Sequence, residues 1–482
     1  MSPSPRCVLL TRILFRSNED LGQQSQEHTR RWWSSNYRKA VELTGGQGLT
    51  FSDPTHVPPS QKERSMNNPL LVGVDVHRKE NVVAMMNCDG EEAAERLSVD
   101  NNRPGTEQLI EQLTELMETG EYDALQVGAE ATGYYWLHFF RMLQEDEFLN
   151  QWPLELYPFN PRVIAHYKKT FVDLDKTDGI DAFAIADRLH LKRDLPTPFA
   201  CDEPYLALRL LTRYRYHLVH NLAREKSYCL AILYLKASEY THPDRKPFSD
   251  VFGAASRAVL LEFTSIEEIA ALPFEQLQEW IDVKGKRHFA DPSDNTRKLR
   301  QVAQDSYTLP PTLLPSVNLI LATSFQQITQ LQRAIKRVDT AIAEQLQAIP
   351  QTLASIPGFG PVFTAGIIAE IGHISRFDYN QAKVAKFAGF KWRQHQSADF
   401  RAEDTRLTRT GNRYLRYYFC EAANMIRVLD PDYKTFYQRK FREVRKHQHK
   451  RAIVLTARKL IRLVVRLLTT NQTYRPRRLA TA

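Results

Sequence analysis

The feature that most constrains the fold of this chain is an apolar run that contains a single acid. Residues 70–76 read Leu-Leu-Val-Gly-Val-Asp-Val, and a polar turn separates them from a second apolar run, Val82–Met86. Such short runs, rich in valine, predict the two strands of a hairpin. Short strands then alternate with helical stretches as far as Leu191. We therefore predict an α/β domain with a mixed sheet.

Four acids of this domain lie at strand ends or on a helix. Asp75 interrupts the first strand, and Glu130 follows the strand predicted at Leu125–Ala129. Asp178 and Asp181 share a helix face, because they stand three residues apart. Burying a lone carboxylate in an apolar strand is costly unless a cation lies nearby. Two strands and one helix thereby offer the hard oxygen ligands that a pair of Mg²⁺ ions requires for phosphodiester displacement.

Taken singly, each of these acids also has an ordinary explanation. Asp178 fits a helix cap, Asp181 a solvent-facing side chain and Glu130 a turn residue. The order of strand Asp, strand-end Glu and helical Asp-x-x-Asp is less common than any one of its parts. We therefore favour a metal site.

Four regions are predicted along the chain. Residues 1–66 contain a Pro/Ser-rich linker, and we expect a disordered extension there rather than a targeting signal. Residues 67–198 form the α/β domain, and residues 199–349 form a helical coiled-coil middle with an insert. Residues 350–482 form a small helical, basic domain. The fold class is thus α/β followed by all-α.

The helical middle carries a coiled-coil pattern between residues 321 and 349. Positions spaced alternately four and three residues apart are apolar at seven of nine places, which predicts a seam. The sequence does not separate pairing between subunits from an antiparallel hairpin within one chain. The seam positions are Leu321, Phe325, Ile328, Gln332, Ile335, Asp339, Ile342, Leu346 and Ile349.

Positive charge is concentrated at the carboxyl-terminal end. The whole chain has a net charge of +9, but residues 391–482 contain 23 Lys and Arg against 7 Asp and Glu. Such an excess favours a polyanion partner, above all nucleic acid. The cations that we expect to contact nucleic acid are Lys391, Arg393, Arg401, Arg406, Arg409, Arg413 and Arg416.

Ser397 lies in the polar loop between these cations. A serine attacks a phosphate only where cations hold the phosphate and a base or a metal takes the proton. The loop supplies the cations but no obvious base, so the residues alone leave an inert serine as an alternative.

Three aromatic residues follow Gly133, and the cysteines are scattered. Tyr134, Tyr135 and Trp136 either stack on bases or pack at a helix start. Five cysteines without a CxxC pair argue against a disulfide framework and favour a reducing compartment. No stretch of about 18 apolar residues occurs, so we expect no membrane-spanning helix.

Taken together, the motifs resemble the Piv/MooV-like DEDD recombinases, the insertion sequence 110 family of bacterial transposases. The resemblance spans roughly residues 68–470. Its amino-terminal part is carried by Val72-Gly73-Val74-Asp75, Glu130-Ala131-Thr132-Gly133 and Lys176-Thr177-Asp178-Gly179-Ile180-Asp181-Ala182. Its carboxyl-terminal part is carried by Ile356-Pro357-Gly358-Phe359-Gly360-Pro361, Phe387-Ala388-Gly389, Gln396-Ser397 and Gly411-Asn412-Arg413-Tyr414-Leu415-Arg416.

The resemblance implies a RuvC-like (RNase H-like) domain, a coiled-coil domain and a serine-bearing transposase domain. Asp75, Glu130, Asp178 and Asp181 would hold Mg²⁺, as two ions, and Ser397 would attack the scissile phosphate. The implied partners are donor and target DNA and a structured bridge RNA that pairs with both. The implied assembly is a homo-oligomer, a dimer to tetramer, in which the serine of one subunit meets the acids of another. The implied location is the bacterial cytoplasm, at the nucleoid.

Two alternatives remain on the sequence alone. One is a RuvC-like junction resolvase or nuclease, in which the acids act and Ser397 is structural. The other is a nucleic-acid-binding module without catalysis. The chain also departs from the family by having Ala398, where a glycine usually follows the serine, and residues 1–66 match nothing in the family pattern.

Overall fold

A mixed five-stranded sheet begins directly after the amino-terminal extension. The computed structural model describes residues 68–171, 178–192, 195–200, 202–392, 396–397, 400–401, 407 and 411–476, so the expected disorder of residues 1–66 lies outside this part of the chain. The strand order is β3-β2-β1-β4-β5. The first three strands are antiparallel, and β4 and β5 run parallel to β1. The strands are β1 (Pro69–Val76), β2 (Glu80–Met86), β3 (Glu92–Asp100), β4 (Ala124–Glu130) and β5 (Leu154–Phe159).

Both faces of β1 are buried, because helices cover the sheet on each side. Leu70, Val72 and Val74 pack with Leu109 of the first helix, whereas Leu71 points to the opposite core. This alternation follows the two-residue period of a strand and explains the continuous apolar run. The helices of this domain are α1 (Arg103–Glu118), α2 (Tyr135–Glu145), α3 (Pro161–Tyr167) and α4 (Asp178–His190).

Gly73 allows α4 to lie directly on β1. A Cβ atom at position 73 would stand 2.1 Å from the Ala182 carbonyl oxygen and 2.4 Å from the Ala186 nitrogen. Only glycine leaves room for so close an approach of helix backbone to strand. The first turn of α4 is thereby brought to the carboxyl end of β1, where Asp75 lies.

The mixed sheet confirms the predicted α/β architecture, but β3 was not predicted. Its residues are mostly exposed or half-buried, and Glu92 and Arg96 form an ion pair on its surface. A strand at the edge of a sheet needs no apolar run, and charged side chains protect it against pairing with other chains.

Two long helices run antiparallel and join two further hydrophobic cores. Leu208, near the start of α5, shares a core with Ile342 near the end of α10. Leu233, near the end of α5, shares another core with Leu321 near the start of α10. The elements of this region are α5 (Glu203–Lys236), the insert helices α6 (Ala254–Glu262), α7 (Ile266–Ala271), α8 (Phe274–Lys284) and α9 (Pro292–Asp305), and α10 (Leu314–Leu346).

The predicted seam of α10 packs against α5 of the same chain. Leu321, Phe325 and Ile328 are buried at one end, and Ile342 and Leu346 at the other. The polar seam position Asp339 forms an ion pair with Arg215 of α5, with Nε and Oδ1 2.5 Å apart. The antiparallel hairpin is therefore present, while a seam between subunits stays a prediction.

The carboxyl-terminal helices pack around α15, whose apolar face is buried. Ala457, Leu460 and Val464 have no exposed surface. Among the residues that the structure describes, none of the helices is long and apolar enough to cross a membrane. The elements are α11 (Pro361–Ile371), α12 (Gln381–Phe387), β6 (Gln396–Ser397), β7 (Phe400–Arg401), α13 (Arg413–Leu429), α14 (Pro431–Arg442) and α15 (Gln448–Thr470).

Candidate active site

Two of the four predicted acids meet at the carboxyl end of β1. The His77 Nε2 atom lies 3.2 Å from an Asp75 carboxylate oxygen and 3.7 Å from an Asp178 carboxylate oxygen. One ligand atom from each of the three side chains lies within 4.8 Å of the others, a spacing suited to one metal ion. Asp75 is only 7% exposed, whereas His77 and Asp178 face solvent. The centre is therefore buried at Asp75 and open to solvent at His77 and Asp178.

The other two acids lie beside this centre with partners of their own. Asp181 is in the first turn of α4, and its carboxylate is 2.5 Å from the Lys168 ammonium. Glu130 is the last residue of β4, and its carboxylate accepts a hydrogen bond of 2.9 Å from the Thr132 hydroxyl. Each of the four acids thus has the strand-end or helix position that was predicted, and their role as ligands stays a prediction.

The electrostatics of Asp75 show that the acids influence one another. Burial raises the pKa of the Asp75 carboxyl, and the charges of Asp181 and Glu130 raise it further. The charges of His77 and Lys168 oppose this, but the pKa stays above its ordinary value. Carboxylates that crowd a partly buried strand end are stabilised by a divalent cation. The donor set therefore fits a divalent metal ion.

Sequence reasoning missed His77 and Lys168. His77 was read as part of the polar turn after β1, and Lys168 lies ten residues before Asp178 in an unremarked helical segment. A histidine two residues after a strand aspartate lies on the same face as that aspartate, because side chains alternate along an extended chain. That spacing was the available indication for His77. Lys168 offered none, since its pairing depends on tertiary structure.

The predicted nucleophile lies on a short β-hairpin. Backbone pairing joins Ser397 to Phe400 and Gln396 to Arg401, and a further antiparallel bridge joins Trp392 to Leu407. For β6 and β7 the structure describes the backbone, and Ala398 lies outside the described residues. A hairpin was not predicted here, because the segment is polar and lacks the alternation of a half-buried strand.

The two ends of the serine-bearing segment are held together at its base. A Cβ atom on Gly411 would stand 2.7 Å from the Gly389 Cα atom, and both glycines have positive φ values. The Asn412 backbone N–H donates to the Phe387 carbonyl at 2.7 Å. The Asn412 side chain also caps α13 by accepting hydrogen bonds from two backbone N–H groups. The two ends of the segment that bears Ser397 are therefore fixed relative to each other.

An ion pair between Glu370 and Arg213 contacts the Asn412 side chain at one end of this segment. Glu370 of α11 is 2% exposed and accepts two hydrogen bonds from Arg213 of α5, at 2.7 and 2.9 Å. Its carboxylate also accepts a hydrogen bond of 2.6 Å from the Asn412 side chain. Burial opposes ionisation, but the hydrogen bonds and charge of Arg213 outweigh it, and the pKa of Glu370 falls below its ordinary value. Hydrogen bonds thereby join α5, α11 and the start of α13.

The predicted nucleic-acid-binding cations are described only in part. Lys391 and Arg413 are exposed beside the base of the hairpin, and Arg416 is half-buried on α13. The Arg413 guanidinium lies over the Tyr414 ring, 4.8 Å from its centre. Arg401 belongs to β7, of which the backbone is described. Arg393, Arg406 and Arg409 lie outside the described residues.

Comparison with known proteins identifies the family. A family model for DEDD-type IS110 sequences, described as "Transposase", matches residues 72–236. A second model, described as "Transposase IS116/IS110/IS902 family", matches residues 350–438. The first match covers the sheet from Val72 onward and α4 with all four acids, and the second covers the serine hairpin. Together the two matches span more than half of the chain.

Two curated relatives agree with these matches. The chain is 23% identical over 422 residues to the "Insertion element IS900 uncharacterized 42 kDa protein" of Mycobacterium paratuberculosis, which covers 85% of this chain and 98% of the relative. It is 24% identical over 304 residues to the "Insertion element IS116 uncharacterized 44.8 kDa protein" of Streptomyces clavuligerus, which covers 62% and 73%. The chain belongs to the IS110 family of insertion-sequence transposases, and it is therefore a DNA transposase with a DEDD-type domain.

Proposed function

We propose that this transposase cuts and rejoins DNA strands, with Ser397 as the nucleophile and two Mg²⁺ ions at the acidic centre. Asp75, Glu130, Asp178 and Asp181 would hold the ions. The observation that carries the proposal is the convergence of Asp75 and Asp178 on one point at the end of β1, from two elements about a hundred residues apart in the chain. The oxygen-rich donor set favours Mg²⁺ over metals that prefer nitrogen and sulfur ligands.

The proposed chemistry needs the four acids and Ser397 to meet at the scissile phosphate. When bound, the divalent ions neutralise charge on the phosphate and on the attacking and leaving oxygens. The Ser397 hydroxyl would give its proton to water as its oxygen bonds to phosphorus, and the DNA phosphorus–oxygen bond would break as the leaving oxygen takes up a proton from water. The ester between Ser397 and DNA conserves the bond for rejoining, when a DNA hydroxyl displaces the serine.

The fixed base of the hairpin supports Ser397 in this role. A nucleophile must be held close to its target, since misplacement by about 1 Å costs roughly 100-fold in rate. Gly389, Gly411 and the buried Glu370 provide such a support for the segment that bears Ser397. The cations beside the hairpin would hold DNA phosphates.

The partners proposed for the transposase are donor and target DNA and a structured RNA from the same element. Base pairing with this bridge-type RNA would select both DNA sequences, so the protein would contribute phosphate contacts and chemistry. We also propose a homo-oligomer, in which the hairpin of one subunit reaches the acidic centre of another.

A strand-transfer assay with donor DNA, target DNA and the RNA transcribed from the flanking non-coding region tests the chemistry. We expect Ser397→Ala to abolish recombination and the covalent protein–DNA adduct, and Asp75→Asn to abolish cleavage. Ser227→Ala is the matched control, because Ser227 is an exposed serine on α5. Full recombination by Ser397→Ala would refute the serine mechanism, and cutting without an adduct would indicate a resolvase. Full recombination without the RNA would refute guidance.

Mixing two inactive variants tests the oligomer. If the serine and the acids come from different subunits, Asp75→Asn and Ser397→Ala together restore activity, because one subunit supplies an intact serine and the other intact acids. If both come from one chain, the mixture stays inactive. Each variant alone provides the baseline.

A further inference from the structure

A cleft between the end of β1 and the helices α1 and α2 is lined by aromatic and basic residues. Its volume is about 670 Å³, within the range of sites that hold small ligands. Its walls include Arg78, Arg103, Tyr134 and Tyr135. Neither family motif nor the proposed chemistry gives these four side chains a role.

The cleft and the acidic centre share the carboxyl end of β1, but the cleft lies on the side of α1 and α2 and the centre on the side of α4. Arg78 directly follows His77, which contacts Asp75 and Asp178. Tyr134 follows the turn that starts at Glu130, and this turn passes through Gly133 with a positive φ value. A polymer that is bound at the acidic centre and passes around this end of the sheet therefore reaches the cleft.

The two tyrosines are exposed, although the aromatic residue that follows them is not. Tyr134 is 51% exposed and Tyr135 is 47% exposed. Trp136 packs edge-on against Phe140 and Phe199, with ring centres 5.5 and 5.4 Å away. Of the two roles weighed for this segment, core packing thus belongs to Trp136, and the tyrosine rings are available to stack.

The cleft is braced, so its aromatic wall does not depend on the ligand for its position. The Asn101 side chain donates hydrogen bonds to the His77 carbonyl at 2.7 Å and to the Tyr135 carbonyl at 3.3 Å. One side chain therefore joins the strand end that bears His77 to the start of α2.

The charge of the cleft suits a phosphate backbone. Arg78 and Arg103 are exposed. A third lining arginine, Arg141, pairs with Glu145, which also lines the cleft, and Arg103 pairs with Glu107 on the outer surface of α1. Arginine beside stacked aromatic rings is the combination by which proteins bind unpaired nucleotides without sequence preference.

We propose that this cleft binds an unpaired DNA nucleotide that flanks the cleavage site, with its base stacked on Tyr134 or Tyr135 and its phosphate on Arg78. The proposal rests on the proposed function in one respect, that DNA is cut at the acidic centre. DNA is favoured over RNA because the residues of both walls follow closely, in the chain, the residues that would act on DNA.

Binding of the full-length protein to two DNA probes, in EDTA so that no cleavage occurs, tests the proposal. One probe is a duplex with a short single-stranded tail that carries 2-aminopurine next to the junction, and the other is the same duplex with blunt ends. We expect the tailed probe to bind more tightly and its fluorescence to be quenched by stacking. The double variant Tyr134→Ala/Tyr135→Ala should bind the tailed probe at least about tenfold more weakly and the blunt probe normally.

Three further variants sharpen the test. Tyr134→Phe/Tyr135→Phe should bind like wild type, because phenylalanine also stacks, and Tyr307→Ala is the control, since Tyr307 is 77% exposed elsewhere. Arg78→Gln should lower the slope of log affinity for the tailed probe against log salt concentration by about one. If the tyrosine double variant bound the tailed probe as tightly as the wild type does, the proposal would be overturned. It would also be overturned if an RNA tail bound more tightly than the DNA tail and lost the same factor in affinity in the double variant. Because no cleavage is involved, these outcomes are independent of the Ser397 experiments.

Discussion

Gly73→Ala should disrupt the acidic centre without removing any of its ligands. The new methyl group would stand 2.1 Å from the Ala182 carbonyl oxygen, whereas ordinary contact begins at 3.4 Å. Both atoms nearest to it belong to the α4 backbone, so no side chain can rotate away. Helix α4 would have to retreat by about 1 Å, and metal sites tolerate only about 0.5 Å.

The expected result has a stability part and a binding part. Overpacking of this kind costs about 1–3 kcal/mol in free energy of unfolding, which urea titration measures. Displacing Asp178 from Asp75 should weaken metal binding roughly 10- to 100-fold, which is the usual effect of mutating residues that hold metal ligands in position. Electron paramagnetic resonance of free Mn²⁺, used as a probe for Mg²⁺, measures that affinity directly.

Two control variants separate these parts. Gly128→Ala disturbs the same interface, but there the new methyl group meets side chains of Phe159 and Ile185, far from the first turn of α4. It should lower stability while leaving Mn²⁺ affinity nearly unchanged. A Cβ atom on Gly360 would meet nothing within 4 Å, so Gly360→Ala should leave Mn²⁺ affinity unchanged and lower stability by no more than about 1 kcal/mol through loss of a preferred N-cap residue. Wild-type Mn²⁺ affinity in a folded Gly73→Ala protein would refute the reasoning that the close helix contact builds the site.

Three further predictions follow from the helical regions. Burial lowers the pKa of Lys236 from its ordinary value of 10.5 to about 8, so between these two pH values the unfolded chain binds more protons than the folded chain. The free energy of unfolding, measured by urea titration, should therefore rise with pH in that window for the wild type relative to Lys236→Met. Glu370→Ala leaves the half-buried Arg213 and the Asn412 side chain without their acceptor and should cost about 3 kcal/mol by the same measurement. Glu107→Ala, which breaks an exposed pair, should cost less than about 1 kcal/mol, and equal costs would contradict the argument from burial of Glu370. Replacing the exposed Arg462 and Arg466 of α15 by Gln should lower the slope of log affinity for DNA against log salt by about two, and an unchanged slope in filter-binding assays would place the DNA surface elsewhere.

The sequence predicted those parts of the fold that have a strong periodic pattern. The apolar run of β1 is buried on both faces, and the acids occupy the predicted strand-end and helix positions. Strand β3 escaped prediction because an edge strand that is exposed on one side keeps charged residues.

The contacts between distant parts of the chain were beyond sequence reasoning. Arg213 and Glu370 are 157 residues apart, and Lys168 and Asp181, which form an ion pair, belong to two different helical elements. Each of these residues alone reads as a solvated surface charge. Only the packing of α5 on α11 and of α3 near α4 turns them into buried or shielded pairs.

The antiparallel pair α5 and α10 has a mechanical consequence. At 1.5 Å per residue, each helix is about 50 Å long, and the two hydrophobic cores are attached at opposite ends. Between them, residues 219–228 of α5 and 329–341 of α10 include no fully buried side chain. Because few apolar contacts oppose bending there, we expect this stretch of the helix pair to deform more easily than either core.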